Sequence, residues 1–174
     1  VGTTMTGWLV SLTGVGFKID TFALPLIALG VGLRVVTGTY GRDGLGAAIA
    51  GFGLFFLGLS ILTNAFSGIA AQFGTALLND AGVGGIAVLV GIGLIATVLT
   101  QSSSAAMALI LTAASESAIG LGAAAAAVIG ANIGTTSTAV FAAIGATPNA
   151  RRVAVGHIIF NLCTGAIALA ILPL

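Results

Sequence analysis

Of 174 residues, 58% are hydrophobic and only 5% charged, and the mean hydropathy of +1.22 lies far outside the usage of a water-soluble globular domain. A net charge of +1 with no basic run excludes a surface that neutralises the phosphates of a nucleic acid. One cysteine, Cys163, excludes an internal disulfide and a multi-thiolate metal site, and its apolar neighbours predict a small buried hydrophobe.

The chain opens on Val1 rather than Met, and its first segment lacks the basic, apolar and small-residue regions of a signal peptide, so a piece of something longer is expected. Apolar stretches then follow from Phe22 to Val36 and from Leu45 to Ala70. A hydrocarbon core of about 30 Å needs about 20 helical residues, which the second of these supplies directly. Phe52, Phe55 and Phe56 within it are expected to touch lipid or other helices. Val83 to Thr100 comes next, then Ala105 to Ala114, Leu121 to Ala131, Thr136 to Ala146 and finally Val153 to Leu172, which is again long enough to span. The runs starting at Ala105, Leu121 and Thr136 reach only about half of a bilayer at about 1.5 Å per residue.

Two polar interruptions separate the half-length runs: Thr100-Gln101-Ser102-Ser103-Ser104 and the stretch from Gly130 to Thr138. Non-helical backbone inside a bilayer survives only where protein or a water-filled cavity satisfies it. The first interruption is expected at the tip of a re-entrant hairpin, and the second in the middle of a spanning helix. The resulting fold class is an all-α, polytopic integral membrane protein with inverted repeats, a re-entrant hairpin and a broken transmembrane helix.

Charge placement agrees with that topology. If Val83 to Ala114 enters and leaves on one face, Arg34, Arg42, Arg151 and Arg152 share a side with Asp43, and Lys18, Asp20, Asp80 and Glu116 share the other, as the positive-inside tendency requires. Arg151 and Arg152 then read as anchors at the cytoplasmic surface, and the other charges as solvated loop residues. The pattern GTTxT occurs at Gly2 to Thr6 and again at Gly134 to Thr138, each followed by an apolar helix. Three crossings between the copies would point their helices in opposite directions, the arrangement of secondary transporters built from inverted repeats.

The interruptions hold the chemistry. Gln101, Ser102, Ser103 and Ser104, with Thr100 beside them, collect neutral oxygens suited to sodium, a hard cation. The plainer alternative is hydrogen bonding between helices, worth about 1 kcal/mol per bond. Asn132, Gly134, Thr135, Thr136 and Thr138 form the second cluster, with glycines that let backbone unwind or approach closely. Helices beginning at Ala105 and Ser137 would aim unpaired amides and positive dipole ends at one midplane point, an anion site without Lys or Arg. Most of the 27 glycines are expected in close helix packing instead. His157 and Asn161, four residues apart, share a helix face; a hydrogen bond to a neighbouring helix is favoured over a proton or substrate role.

QSSSA at 101 to 105, GANIGTTxT at 130 to 138 and NARRxAxxHxxFN at 149 to 161 together resemble the sodium/phosphate cotransporter family, specifically bacterial relatives of the type II sodium-dependent phosphate cotransporters. The resemblance implies a non-enzymatic symporter of a bacterial inner membrane that imports inorganic phosphate with sodium by alternating access. It implies phosphate contacts at Ser102, Ser103, Ser104, Gly134, Thr135 and Thr136. Sodium contacts fall on Thr100, Gln101, Ser102, Ser103, Asn132, Thr135 and Thr138, with His157 and Asn161 as candidates for support. Partners are then phosphate, sodium and the lipid bilayer, with no nucleic acid and no cofactor beyond the coupling ion. Residues 1–16 resemble the tail of a first repeat, 17–82 form connecting transmembrane helices, and 83–174 form the second repeat. The missing first-repeat half is needed to complete the site. An intramembrane serine hydrolase using one of Ser102 to Ser104 with His157 as base, and a non-transporting scaffold, are the alternatives.

Overall fold

A computed structural model describes residues 2–14, 20–37, 43–73 and 83–172, which form eight helices and no strand among the described residues. They are α1 (Gly2–Gly14), α2 (Asp20–Thr37), α3 (Asp43–Phe73), α4 (Val83–Thr100), α5 (Ser103–Ser115), α6 (Leu121–Gly134), α7 (Thr136–Ala143) and α8 (Pro148–Ile171). Each is apolar on all sides, as expected of helices that meet lipid and one another rather than water. Three segments are long and apolar enough to cross a membrane: Gly44–Gly68, Leu121–Ala143 and Pro148–Ile171. Thr21–Val36, Gly84–Thr100 and Ser103–Ser115 are shorter apolar helices.

Glycine sets how closely the helices approach. A Cβ on Gly93 of α4 would collide with the carbonyl of Ala127 in α6, and one on Gly130 of α6 would collide with the carbonyl of Val90 in α4. Gly134 sits against Leu94 and Thr97 in the same way. A second tight pair joins α2 to α3, where Gly30 meets Gly46 and Ala50, and Gly53 meets Ala23 and Ile27. With no hydrophobic gain from burying apolar groups out of lipid, such backbone approach and the dispersion it permits hold the helices together.

Two clusters tie these pairs to α5. Ala106 and Ile110 of α5 pack on Ala124, Ala127 and Ala131 of α6, with Ala96 of α4 against them. On its other side Ala108 joins Val10 of α1 and Leu59 of α3, backed by Phe55 and Phe56. Those two rings therefore serve helix contact, whereas Phe52 stays half exposed and meets Phe56 edge-on at 5.3 Å. α1 thus docks on the α4–α6 group, and Thr4 comes to the same region as α5's first residues.

Cys163, predicted to be buried, is exposed on α8. The expectation carried over the rule for proteins in water; in a helix surrounded by lipid an apolar run has no reason to turn inward. Lys18, Arg42 and Asp80 lie outside the described residues.

Candidate functional site

The interruption at residues 101–102 is sharp. Gln101 adopts φ 52°, a left-handed conformation that disfavours any side chain, and ends α4; its side-chain amide donates to the Val98 carbonyl. Ser102 is extended, at φ −147° and ψ 107°, and its Oγ accepts from the Ala105 amide at 3.2 Å, the N-cap that starts α5. Thr100 Oγ donates to the Ala96 carbonyl at 2.8 Å. Non-glycine residues held in the left-handed region cost about 1–3 kcal/mol and gather at functional sites.

The second interruption is milder than the sequence predicts. Backbone from Gly130 to Gly134 stays helical, and Thr135 itself keeps right-handed angles of φ −58° and ψ −23° with its amide donating to the Ala131 and Asn132 carbonyls at 3.2 Å. The Thr135 amide thus stays bonded to α6, and α7 starts as a separate helix at Thr136. Thr135 Oγ donates to the Ala131 carbonyl, Thr136 Oγ to Ile133 and Thr138 Oγ to Thr135. Gly130 and Gly134 are occupied in packing on α4, which holds the backbone helical.

A cavity of about 560 Å³ lies where these segments meet α8 and α1. α5 contributes Ser103 and Met107, α6 contributes Asn132, and the junction of α6 and α7 contributes Thr135. From α8 come His157, Asn161 and Thr164, and from α1 comes Thr4, while Val128, Ile129 and Phe160 supply apolar wall. Asn161 is buried, and its amide donates to the His157 carbonyl at 2.9 Å with the His157 ring nitrogens 3.3 and 3.4 Å away. The sequence expectation of a bond from His157 to another helix is replaced by this intrahelical pair. Thr164 Oγ donates back to the Phe160 and Asn161 carbonyls.

Every polar group lining the cavity is neutral or a histidine, and no Lys, Arg, Asp or Glu lines it among the described residues. Hydroxyl and amide oxygens suit a hard monovalent cation, while hydroxyl and amide hydrogens suit an oxyanion.

Comparison with protein families gives a match to the Na+/Pi-cotransporter model over residues 1–64 and 72–172, nearly the whole chain. This chain belongs to the Na+/Pi-cotransporter family. It is thus a membrane transport protein of the sodium–phosphate kind, a class that is not enzymatic. Searches of curated proteins and of solved structures give no match.

Within this cotransporter chain the cavity gathers Ser103, Asn132, Thr135, His157 and Asn161 of the sequence candidates. Thr100, Gln101, Ser102 and Ser104 belong to the adjoining helix break without lining it; Gly134 is buried against α4; Thr136 and Thr138 lie on the α7 side. Thr4 and Thr164 were missed. Thr4 corresponds to Thr136 in the repeated GTTxT pattern, and Thr164 falls on the face of His157 and Asn161 at helical spacing, so both signals were present. Three further hydroxyls, Thr97, Thr112 and Ser137, are buried with no hydrogen-bond partner among the described residues.

Proposed function

We propose that this chain supplies the second-repeat half, with the tail of the first, of a sodium-coupled symporter that imports inorganic phosphate by alternating access. The observation that carries the reading is the convergence of Ser103, Asn132 and Thr135 with Thr4 on one uncharged polar cavity, bringing both GTTxT segments to the α4–α5 break. Sodium takes oxygens around Thr100, Gln101, Ser102, Ser103, Asn132, Thr135 and Thr138. Phosphate takes hydroxyls and amides at Ser102, Ser103, Ser104, Gly134, Thr135 and Thr136. His157 and Asn161 support them, and no further cofactor takes part.

Residues 83–115 form the re-entrant hairpin in this reading and 121–143 the broken spanning helix, within a multi-pass protein of a bacterial inner membrane. Residues 1–16, 17–82 and 83–174 act respectively as first-repeat tail, connecting helices and second repeat. Full-length protein in proteoliposomes should accumulate radiolabelled phosphate when an inward sodium gradient is imposed, and not when choline replaces sodium. Equal uptake under both conditions removes sodium coupling from the account.

A further inference from the structure

A second cavity, of about 520 Å³, runs between α7 and α8. Thr138, Ala139, Ala142 and Ala143 line it from α7, and Ala150, Val153, Ala154 and His157 from α8. His157 is the one residue that also lines the central cavity, while on α7 the step from one cavity to the other is Thr135 to Thr138, one helical turn, whose hydroxyl and carbonyl are bonded at 2.8 Å. Along α8 the lining continues from Thr164 through Asn161 and His157 to Ala154 and Ala150, successive turns of one helix face. At about 1.5 Å per residue, the stretch from His157 to Ala150 carries this lining roughly 10 Å from the central cavity.

Where it ends, the charge changes. Arg151 and Arg152 stand exposed in the opening turns of α8, between the lining residues Ala150 and Val153, and add to the positive end of that helix dipole. Cations are disfavoured at that end of a helix on stability grounds, but an anion entering or leaving would meet there an attractive potential that concentrates it. Small side chains keep the groove open: alanines line both sides, and with water occupying about 30 Å³ per molecule the volume suffices for an oxyanion with several waters.

The other GTTxT helix has its own groove. Thr4, Gly7, Trp8 and Ser11 of α1 line a cavity of about 290 Å³ with Met107 and Leu111 of α5, and Thr4 and Met107 are shared with the central cavity. In the register of the repeat, Gly7 corresponds to Ala139 and Ser11 to Ala143, both in the α7 groove. Equivalent faces of the two repeat helices therefore each lead away from the central cavity.

We propose that the groove between α7 and α8 is the route by which phosphate passes between the central cavity and the face bearing Arg151 and Arg152, with His157 as its gate. The proposal rests on the symporter reading above and adds a path to it. Asn161, buried and bonded to the His157 carbonyl, fixes the turn from which the ring projects between the two cavities.

The test uses full-length protein freed of its cysteines, Cys163→Ser included, carrying Ala142→Cys in the groove or Val155→Cys on the exposed side of α8 away from both cavities. An impermeant anionic methanethiosulfonate is applied from the face of Arg151 and Arg152. Modification of Ala142→Cys should lower sodium-dependent phosphate uptake by about tenfold or more, and sodium with phosphate should slow the modification, while modified Val155→Cys keeps its uptake. Complete modification of Ala142→Cys with uptake equal to that of Val155→Cys overturns the route. The gate is read without transport: Thr135→Cys should react from that face about tenfold faster with His157→Ala than with His157 intact, and an unchanged rate overturns the gate. If the cysteine-free parent itself moves no phosphate with sodium, the symporter reading falls, and the route falls with it.

Discussion

Gly93→Ala and Gly91→Ala add the same methyl group two residues apart on α4, and their consequences should be opposite. The Cβ added at Gly93 would overlap the Ala127 carbonyl oxygen and stand 2.7 Å from its carbon and 3.0 Å from the Ala131 amide nitrogen. Carbon atoms settle at about 3.5–4.0 Å, so α4 and α6 must separate by about 1 Å. A gap of 0.5–1 Å forfeits about a quarter to a half of each dispersion contact, and the contacts of Gly130 with Val90 and of Gly134 with Leu94 lie on the same face. Overpacking of this kind costs about 1–3 kcal/mol, against which alanine returns up to about 1 kcal/mol in helix propensity. At Gly91 nothing lies within 4 Å, and only the propensity gain remains. The propensity gain is common to both, so unfolding of the two variants in detergent, followed by heat or by denaturing detergent, should place Gly93→Ala about 1–3 kcal/mol below Gly91→Ala. The wedge also shifts the break after α4, and with it Ser103 at the start of α5, relative to Asn132 and Thr135, so uptake should fall in Gly93→Ala alone. Equal stability and equal uptake in both variants would refute backbone contact as what holds these helices.

Ser103→Ala and Thr135→Ala, whose side chains line the central cavity, should each raise the sodium or phosphate concentration needed for half-maximal uptake by about tenfold, the worth of about 1.4 kcal/mol, with the protein still in the membrane. Thr136→Ala, whose hydroxyl is turned back on Ile133, should change it less; kinetics identical to the parent in all three would return these residues to ordinary packing. For topology, Arg42→Cys and Thr147→Cys should react with an impermeant thiol reagent from one face of the membrane, and Asp80→Cys and Glu116→Cys from the other. Reaction of the last two from opposite faces removes the re-entrant hairpin.

What the sequence made legible is where chain chemistry is local. Ser102 caps α5 through its own neighbour Ala105, and Gln101 ends α4, so QSSS sufficed to place a break. GANIGTT placed the second interruption too, at Thr135 between α6 and α7, but whether Gly130 and Gly134 unwind or pack depends on α4, many residues away. Thr4 was legible only as a repeat: its place in the cavity follows from the docking of α1 on α5 through Val10 and Ala108, a tertiary contact without a local signal. Thr97 and Thr112 sit inside apolar runs where nothing distinguishes a buried hydroxyl from a lipid-facing one.

In the proposed symporter, the lining of the central cavity bears on how the anion is held. The start of α5 at Ser103 adjoins the cavity, and no Lys or Arg lines it among the described residues. Phosphate carries its charge into a site of hydroxyls and amides, and a single helix N-terminus offsets only about 0.5 of an elementary charge. In the proposed mechanism co-bound sodium supplies the rest: at about 4 Å and an effective dielectric of about 20, one unit pair is worth about 4 kcal/mol before desolvation is deducted. Couplings between sites that survive such deductions amount to about 1–3 kcal/mol, so sodium should tighten phosphate binding by about 5- to 150-fold. Linkage makes the effect reciprocal, and saturating phosphate must tighten sodium by the same factor. Equilibrium binding of phosphate to purified full-length protein in sodium and in choline, with sodium binding measured in turn with and without phosphate, gives both factors. A phosphate affinity in choline equal to that in sodium would refute the sodium-bridged site and point to a fixed cation, a Lys or Arg brought by another part of the protein, as what holds the anion.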